Sequence, residues 1–193
     1  MGYNIVVLFS GSGTNLQAII DDNKGYNIVL ACTDNPRARG IMRAKKAHIP
    51  VHTSHQQELQ TRNEYCHNLA NAIDAVKPDL VVLAGFMKIL SPEFCERFAG
   101  KCINIHPSLL PNHKGLDTHQ RVLDVGDGSH GISIHWVTEQ LDAGDVIVQK
   151  RFLVRPEDTP DTLQQKCHKL EHQWYPWVVN RLAKGLDPVS MLQ

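Results

Sequence analysis

The sequence predicts an α/β protein with a Rossmann-like architecture, a central, mostly parallel mixed sheet of about seven strands with helices on both faces. Three stretches carry that expectation. Residues 4–9 (Asn-Ile-Val-Val-Leu-Phe) form an apolar run that breaks into Ser10-Gly11-Ser12-Gly13-Thr14-Asn15 and resumes with helical spacing. Asp79-Leu-Val-Val-Leu-Ala-Gly85 is a continuous apolar run, the pattern of a parallel strand covered on both faces and hence of the sheet's centre. Cys102-Ile-Asn-Ile-His-Pro107 is a third such run, interrupted by two polar residues.

The 193 residues fit one domain, 1–193, and 42% hydrophobic content is ordinary for a folded, soluble chain. Within it, residues to about 100, with the glycine loop, are expected to form a phosphate- and substrate-binding half, and those from about 101, with the interrupted third run, a catalytic half. Twenty basic and twenty acidic residues cancel, so no net field draws the chain to nucleic acid or to an anionic membrane. No apolar stretch resembles a leader or a bilayer span, and a cytoplasmic location is expected. Five scattered cysteines without a CxxC argue against a disulfide framework and a thiolate zinc site.

In chain order, the glycine loop at 10–15 opens a helix marked by Leu16, Ile19 and Ile20. Its backbone N–H groups and the positive helix end suit an anion. It is neither a dinucleotide fingerprint, since Leu16 stands where the third glycine belongs, nor a Walker loop, since no Gly-Lys-Ser/Thr follows. A strand at about 26–32, a short helix at about 40–47 and a brief strand at 50–53 come next. Thr61 and Glu64 form a capping box for a helix whose buried face carries Tyr65, Leu69, Ile73 and Val76, and Pro78 stops it. After the central strand, Phe86-Met87-Lys88-Ile89-Leu90 is unusually apolar for a loop and reads as a wall for a flat ligand, or as packing under the helix capped by Ser91 and Pro92.

Asn104 and His106 share one face of their strand about 7 Å apart, opposite Ile103 and Ile105. Pro107 ends the strand and leaves the imidazole at its carboxyl end, where open α/β sheets place their ligand crevice. A lone buried Asn or His is more often a hydrogen-bonded core residue, so the pair needs support from its surroundings.

A His-, Gly- and Pro-rich loop at 111–118 leads to a helix ending near Val125. His113 and His119 could join His106 around a metal, but no HExxH-type spacing is present and loop histidines are usually solvated. Gly131–Val137 alternates as a strand with Ser133 and His135 on one face. Leu141-Asp142-Ala143-Gly144-Asp145 then turns the chain into an antiparallel strand at about 146–154. Thr159-Pro160-Asp161 caps the last helix, whose stripe of Leu163, Cys167, Leu170, Trp174, Trp177 or Val178 and Leu182 reads as core. His168 and His172 are four residues apart and could chelate a metal on geometry alone. A structural role for His172 is the simpler expectation.

SGSGTNL, LAGFMKIL, NIHPSLLP, HGISIHWVTEQLDAGDVI and EHQWYP together make the chain resemble the phosphoribosylglycinamide formyltransferases, essentially end to end. The resemblance implies the formyltransferase fold and transfer of a formyl group from 10-formyltetrahydrofolate to the amine of phosphoribosylglycinamide in purine synthesis, without a metal. Its implied partners are these small molecules, with no nucleic acid or membrane, in a monomer or homodimer. The family's catalytic set falls on Asn104, His106 and Asp142, and its phosphate contacts on Gly13, Thr14 and Asn15. Its substrate-contacting acid falls on Glu171, and its folate contacts on Arg62, Met87, Lys88, Ile89, Leu90 and Asn104. Lys88 stands where arginine is more usual, keeping charge but losing a planar bidentate donor.

The chemistry suits these residue types. Amine attack builds negative charge on the formyl oxygen, which Asn104 and His106 would meet as donors. Asp142 would stabilise the imidazolium of His106 and raise its pKa. A formyltetrahydrofolate deformylase is the alternative, with water as acceptor, but relatives of that kind carry an additional N-terminal domain. A tRNA formyltransferase would need a further C-terminal domain and a basic face, and a non-catalytic binding module would not require all three residues.

Overall fold

The computed structural model describes residues 2–54 and 60–188, so that Met1, 55–59 and 189–193 of the expected 1–193 unit lie outside the description. Seven strands form one sheet in the order β3-β2-β1-β4-β5-β6-β7. They are β1 (Tyr3–Phe9), β2 (Tyr26–Thr33), β3 (Val51–Thr53), β4 (Leu80–Leu83), β5 (Cys102–His106), β6 (Ser129–Trp136) and β7 (Val146–Leu153). The helices are α1 (Thr14–Asp21), α2 (Gly40–Lys46), α3 (Arg62–Asp74), α4 (Pro92–Arg97), α5 (Thr118–Val125) and α6 (Pro160–Ala183).

β1 shows why the sheet is covered on both sides. Ile5, Val7 and Phe9 enter one core with Leu16, Ile19, Cys167, Tyr175 and Val178. Val6 and Leu8 enter the other with Tyr65, Leu69, Ile73, Phe94 and Phe98. An alternating strand with both faces apolar must be sandwiched, and each fully buried Val, Leu or Ile contributes about 1.5–3 kcal/mol. β4 sits at the centre, as its unbroken apolar run predicts.

β1 to β5 run parallel, whereas β6 is antiparallel to β5 as well as to β7. The sequence predicts only the second antiparallel step. The consequence of the first is specific: Asn104 lies opposite His135, and His106 opposite Ser133. The strand order reverses between β1 and β4, and the loops after β1, β4 and β5 leave the same carboxyl edge.

The buried ridge of α6 differs from the predicted stripe. It consists of Leu163, Cys167, Glu171, Tyr175, Val178 and Val179, while Leu170, Trp174, Trp177 and Leu182 are only half-buried. Leu170, Trp174, Trp177 and Leu182 still pack against the core, so the stripe is core as expected, but Glu171 and Tyr175 occupy buried positions that hydrophobicity alone did not assign. His172, expected to be structural, is exposed, its ring stacked on that of His168 at 5.9 Å.

Candidate active site

The glycine loop follows β1 and ends at Gly13, the N-cap of α1, in left-handed conformation (φ 70°). A Cβ on Gly13 would stand 2.6 Å from the Cα of Gly40, so the loop packs backbone to backbone against α2. Gly40 N–H donates to Gly11 O, and Arg43 Nε donates to Ser12 O. No side chain caps α1, and its first turn holds no acid. The N–H groups of that turn and the helix dipole are therefore available to an anion.

Asn15 does not point its amide at the loop mouth. Its Nδ2 donates to Glu171 Oε2 at 2.9 Å, in the buried seam between α1 and α6. Burial pushes the Glu171 carboxyl up, against the Asn15 bond and nearby His168. Asn15 Oδ1 is buried there without a hydrogen-bond partner. Two residues missed by motif reading tie this region together. Ser10 N–H donates to Gly85 O and its hydroxyl accepts from Met87 N–H at 2.8 Å, which fixes the loop after β4 to the loop after β1. Arg43 adds a cation beside the glycine loop, a position that no spacing rule links to it.

The segment after β4 presents Met87 and Ile89 at 63% and 56% exposure, with Lys88 also exposed, while Leu90 turns inward to the core. Two exposed apolar side chains on one short loop suit a flat ring system rather than a solvated turn. Arg62 begins α3, and its charge acts on Cys66, Glu93 and Cys95 at the α3–α4 seam. The charged neighbours of His106 are Asp142, His135 and Arg121 instead.

Around β5 the predicted triplet comes together. His106 is 6% exposed, and its Nδ1 stands 3.4 Å from Asp142 Oδ2. Asp142 adopts a left-handed backbone (φ 48°), which Asp tolerates better than most residues. Its turn sits tightly on β6, because a Cβ on Gly144 would stand 1.8 Å from Trp136 O. Asn104 Nδ2 lies 3.2 Å from His135 Nε2, and His135 Nε2 is 3.6 Å from Asp142 Oδ1. His135 Nδ1 faces Trp136 O at 2.9 Å, and since a carbonyl only accepts, that nitrogen carries the proton. The Nε2 of the same ring faces both the Asn104 amide and the Asp142 carboxylate. Thus His135 joins the site, whereas His119 pairs with His130 at 2.9 Å.

The loop after β5 closes over this group through its main chain. His106 Nε2 donates to His113 O at 3.0 Å, and Gly115 N–H donates to Asp142 Oδ2 at 2.9 Å. Arg121 donates to Lys114 O, and the His113 ring pairs with Asp127 at 2.6 Å. No side-chain pattern could have foretold these carbonyl and amide contacts.

Burial pulls the His106 imidazole below its ordinary value, and the opposing pulls of the His113 carbonyl and Asp142 do not overcome it. Asp142 pulls the His106 value up, as expected, but burial outweighs that pull and the net shift is downward. Burial acts on Asp142 too, upward, but the His135 ring, the Gly115 N–H and the neighbouring imidazoles outweigh it and hold the carboxyl low. The site therefore combines a neutral imidazole that donates through Nε2 with a firmly ionised acid beyond it.

Comparison with known proteins gives the family. The profile of the formyl transferase family matches residues 3–179. Phosphoribosylglycinamide formyltransferase of Escherichia coli (strain K12) is 46% identical over 186 residues, covering 94% of this chain and 88% of that protein. The Drosophila melanogaster trifunctional purine biosynthetic protein adenosine-3 is 36% identical over 192 residues, which are 96% of this chain and 14% of that one. The solved phosphoribosylglycinamide formyltransferase of Coxiella burnetii superposes with a TM-score of 0.91 at 44% identity, covering 96% of this chain and 89% of that chain. The chain belongs to the formyl transferase family, and within it to the phosphoribosylglycinamide formyltransferases.

Proposed function

We propose that this chain transfers the formyl group of 10-formyltetrahydrofolate to the primary amine of phosphoribosylglycinamide, a step of purine biosynthesis. The observation that carries the reading is the convergence of Asn104, His106 and Asp142 at the carboxyl edge of the sheet, beside an uncapped helix end and an apolar loop. The substrate phosphate sits on the Gly13, Thr14 and Asn15 backbone at the start of α1. Glu171, held by Asn15, accepts from substrate hydroxyl groups. The folate ring lies against Met87, Lys88 and Ile89 and the main chain of Leu90, with Asn104 at its reactive end and Arg62 toward the folate's anionic tail.

The amine nitrogen attacks the formyl carbon, forming one C–N bond while the bond to the folate nitrogen breaks. Charge developing on the formyl oxygen is met by His106 Nε2–H and the Asn104 amide. His106 must first exchange the His113 carbonyl for that oxygen, so the 112–115 segment moves aside when substrate enters. The proton lost by the attacking nitrogen passes to the folate nitrogen through His106 or a water held by ionised Asp142. These residues suffice for the transfer without a metal.

The names of the relatives favour the transferase over the deformylase. A cytoplasmic location fits the five buried free cysteines, which a reducing compartment preserves. The phosphate- and substrate-binding half to about residue 100 and the catalytic and folate-binding half from about 101 meet at the Asn15–Glu171 bond. The deciding experiment follows 10-formyltetrahydrofolate spectroscopically with chelator present, with and without phosphoribosylglycinamide. Consumption only with the amine supports the transferase. Consumption without it makes water the acceptor.

A further inference from the structure

A second cluster of reactive side chains lies outside the Asn104–His106–Asp142 site. His119 on α5, His130 on β6 and Cys167 on α6 each offer one ligand atom, and these atoms lie within 4.8 Å of one another. Among the described residues no other group of three His, Cys, Asp or Glu side chains meets that condition. His130 and Cys167 are 1% and 0% exposed, while His119, on the outer helix, is half-buried.

The present hydrogen bonding leaves this cluster unsatisfied. His119 Nδ1 and His130 Nε2 face each other at 2.9 Å, and one proton serves both. The other nitrogen of His130, Nδ1, is buried with no hydrogen-bond partner. Cys167 Sγ reaches only Gly131 O, at 3.4 Å. A core built solely for packing would place apolar groups here, since buried polar atoms are nearly always paired.

We propose that His119, His130 and Cys167 bind a divalent cation of the zinc class, fastening α5 to β6 and α6. Two imidazole nitrogens and a thiolate are the donor set of a borderline cation, and the cluster has no carboxylate to favour magnesium or calcium. Bond lengths of about 2.0–2.3 Å separate tetrahedral ligand atoms by about 3.3–3.7 Å. The ring pair must open from 2.9 Å, and the widest separation, at most 4.8 Å, must close by about 1 Å. Rotation of His119 on its partly exposed helix opens the ring pair. Water takes the fourth position.

The protons balance. The thiol loses its proton to solvent, and the imidazole that donates in the ring–ring bond moves its proton to its other nitrogen. Both facing nitrogens are thereby freed for the cation, with one proton released per ion. Because α5 directly follows the loop that covers His106, occupancy would also hold that loop's downstream end. The site is independent of the formyl-transfer reading.

The test uses the full chain, freed of metal by chelator and titrated with Co²⁺ in the absence of added thiols. One equivalent should bring a thiolate-to-cobalt charge-transfer band with tetrahedral d–d bands, both abolished by added Zn²⁺, and Zn²⁺ should raise Tm. Cys167→Ser should remove the charge-transfer band. His119→Ala, at the partly exposed position least able to disturb the core, should weaken cobalt binding by more than about tenfold. His168→Ala should leave the spectrum unchanged. Absence of the band in the parent chain, its survival in Cys167→Ser, or its loss in His168→Ala with retention in His119→Ala would overturn the assignment.

Discussion

Asn15 Nδ2 donates to Glu171 Oε2 at 2.9 Å, joining the start of α1 to the middle of α6 across 156 residues. The bond matters because Glu171 is 5% exposed and burial already drives its carboxyl upward. Removing the amide by Asn15→Ala leaves a buried acid without its donor, at a cost of about 1–3 kcal/mol in denaturant unfolding at pH 7. The sign with pH follows from the raised value: the folded acid holds its proton more tightly than the unfolded one. The carboxyl's contribution is complete below the unfolded value and is lost as pH rises through the folded one. The Asn15→Ala penalty should therefore shrink near pH 4, and Glu171→Gln in the Asn15→Ala background should recover most of it. A pH-independent penalty would show that the carboxylate is not its source.

His106 and Asp142 give the test of mechanism. His106→Ala removes the donor placed for the formyl oxygen and should lower kcat by about 100- to 1000-fold, with KM for either substrate changed little. Asp142→Asn keeps a side chain that tolerates left-handed backbone and can still accept from Gly115 N–H. It removes the negative charge that pulls the His106 value upward against burial. The imidazole, already below its ordinary 6.5, should titrate lower still, as read from its ring proton resonances. A folded-state value below the unfolded one means that His106 favours the fold above about pH 6.5 and opposes it as pH falls. The Asn variant extends that acid-sensitive window downward. An unchanged or raised His106 value would show that Asp142 does not act on it through charge.

The strands, glycine loop, helix caps and polar pair of β5 are legible because each rests on local chemistry: alternation, Pro and Gly placement, and Thr61 and Thr159 as N-caps. What escaped sequence reading depends on main-chain atoms distant in sequence. The antiparallel pairing of β6 with β5 brings His135 opposite Asn104, and the His113 carbonyl accepts a hydrogen bond from His106 Nε2. The sign of the His106 shift escaped for the same reason, since burial depends on the whole sheet while the carboxylate partner could be inferred from a motif. On α6, placing Trp174 and Trp177 inward by hydrophobicity missed Tyr175, whose hydroxyl has a specific partner in the sheet.

Tyr175 Oη lies 2.9 Å from Leu83 O and 3.2 Å from Ile103 O, at the seam between β4 and β5. It is fully buried, and burial raises its phenol well above the ordinary value, so it acts only as a donor. Tyr175→Phe should cost about 1–2 kcal/mol of stability, because the buried carbonyls lose a donor while the ring stays packed. kcat should be unaffected at temperatures well below Tm. A comparable loss of kcat without a stability loss would place the hydroxyl in the reaction rather than in the sheet.

Gly144 holds the acid's turn against the sheet. A Cβ there would overlap Trp136 O at 1.8 Å, and the Thr138 methyl stands at 3.2 Å, so Gly144→Ala can be accommodated only by lifting the turn that carries Asp142. Backbone is the obstacle, not the movable end of a side chain. The expected cost is about 1–3 kcal/mol, as for overpacking elsewhere, and kcat should fall with it because Asp142 leaves its place 3.4 Å from His106. Gly128→Ala is the control: nothing lies within 4 Å of its added Cβ, and both stability and kcat should stay close to those of the parent. If Gly144→Ala lost stability but kept full kcat at a temperature where it remains folded, Asp142 would tolerate displacement. The acid would then stabilise the turn without taking part in proton transfer.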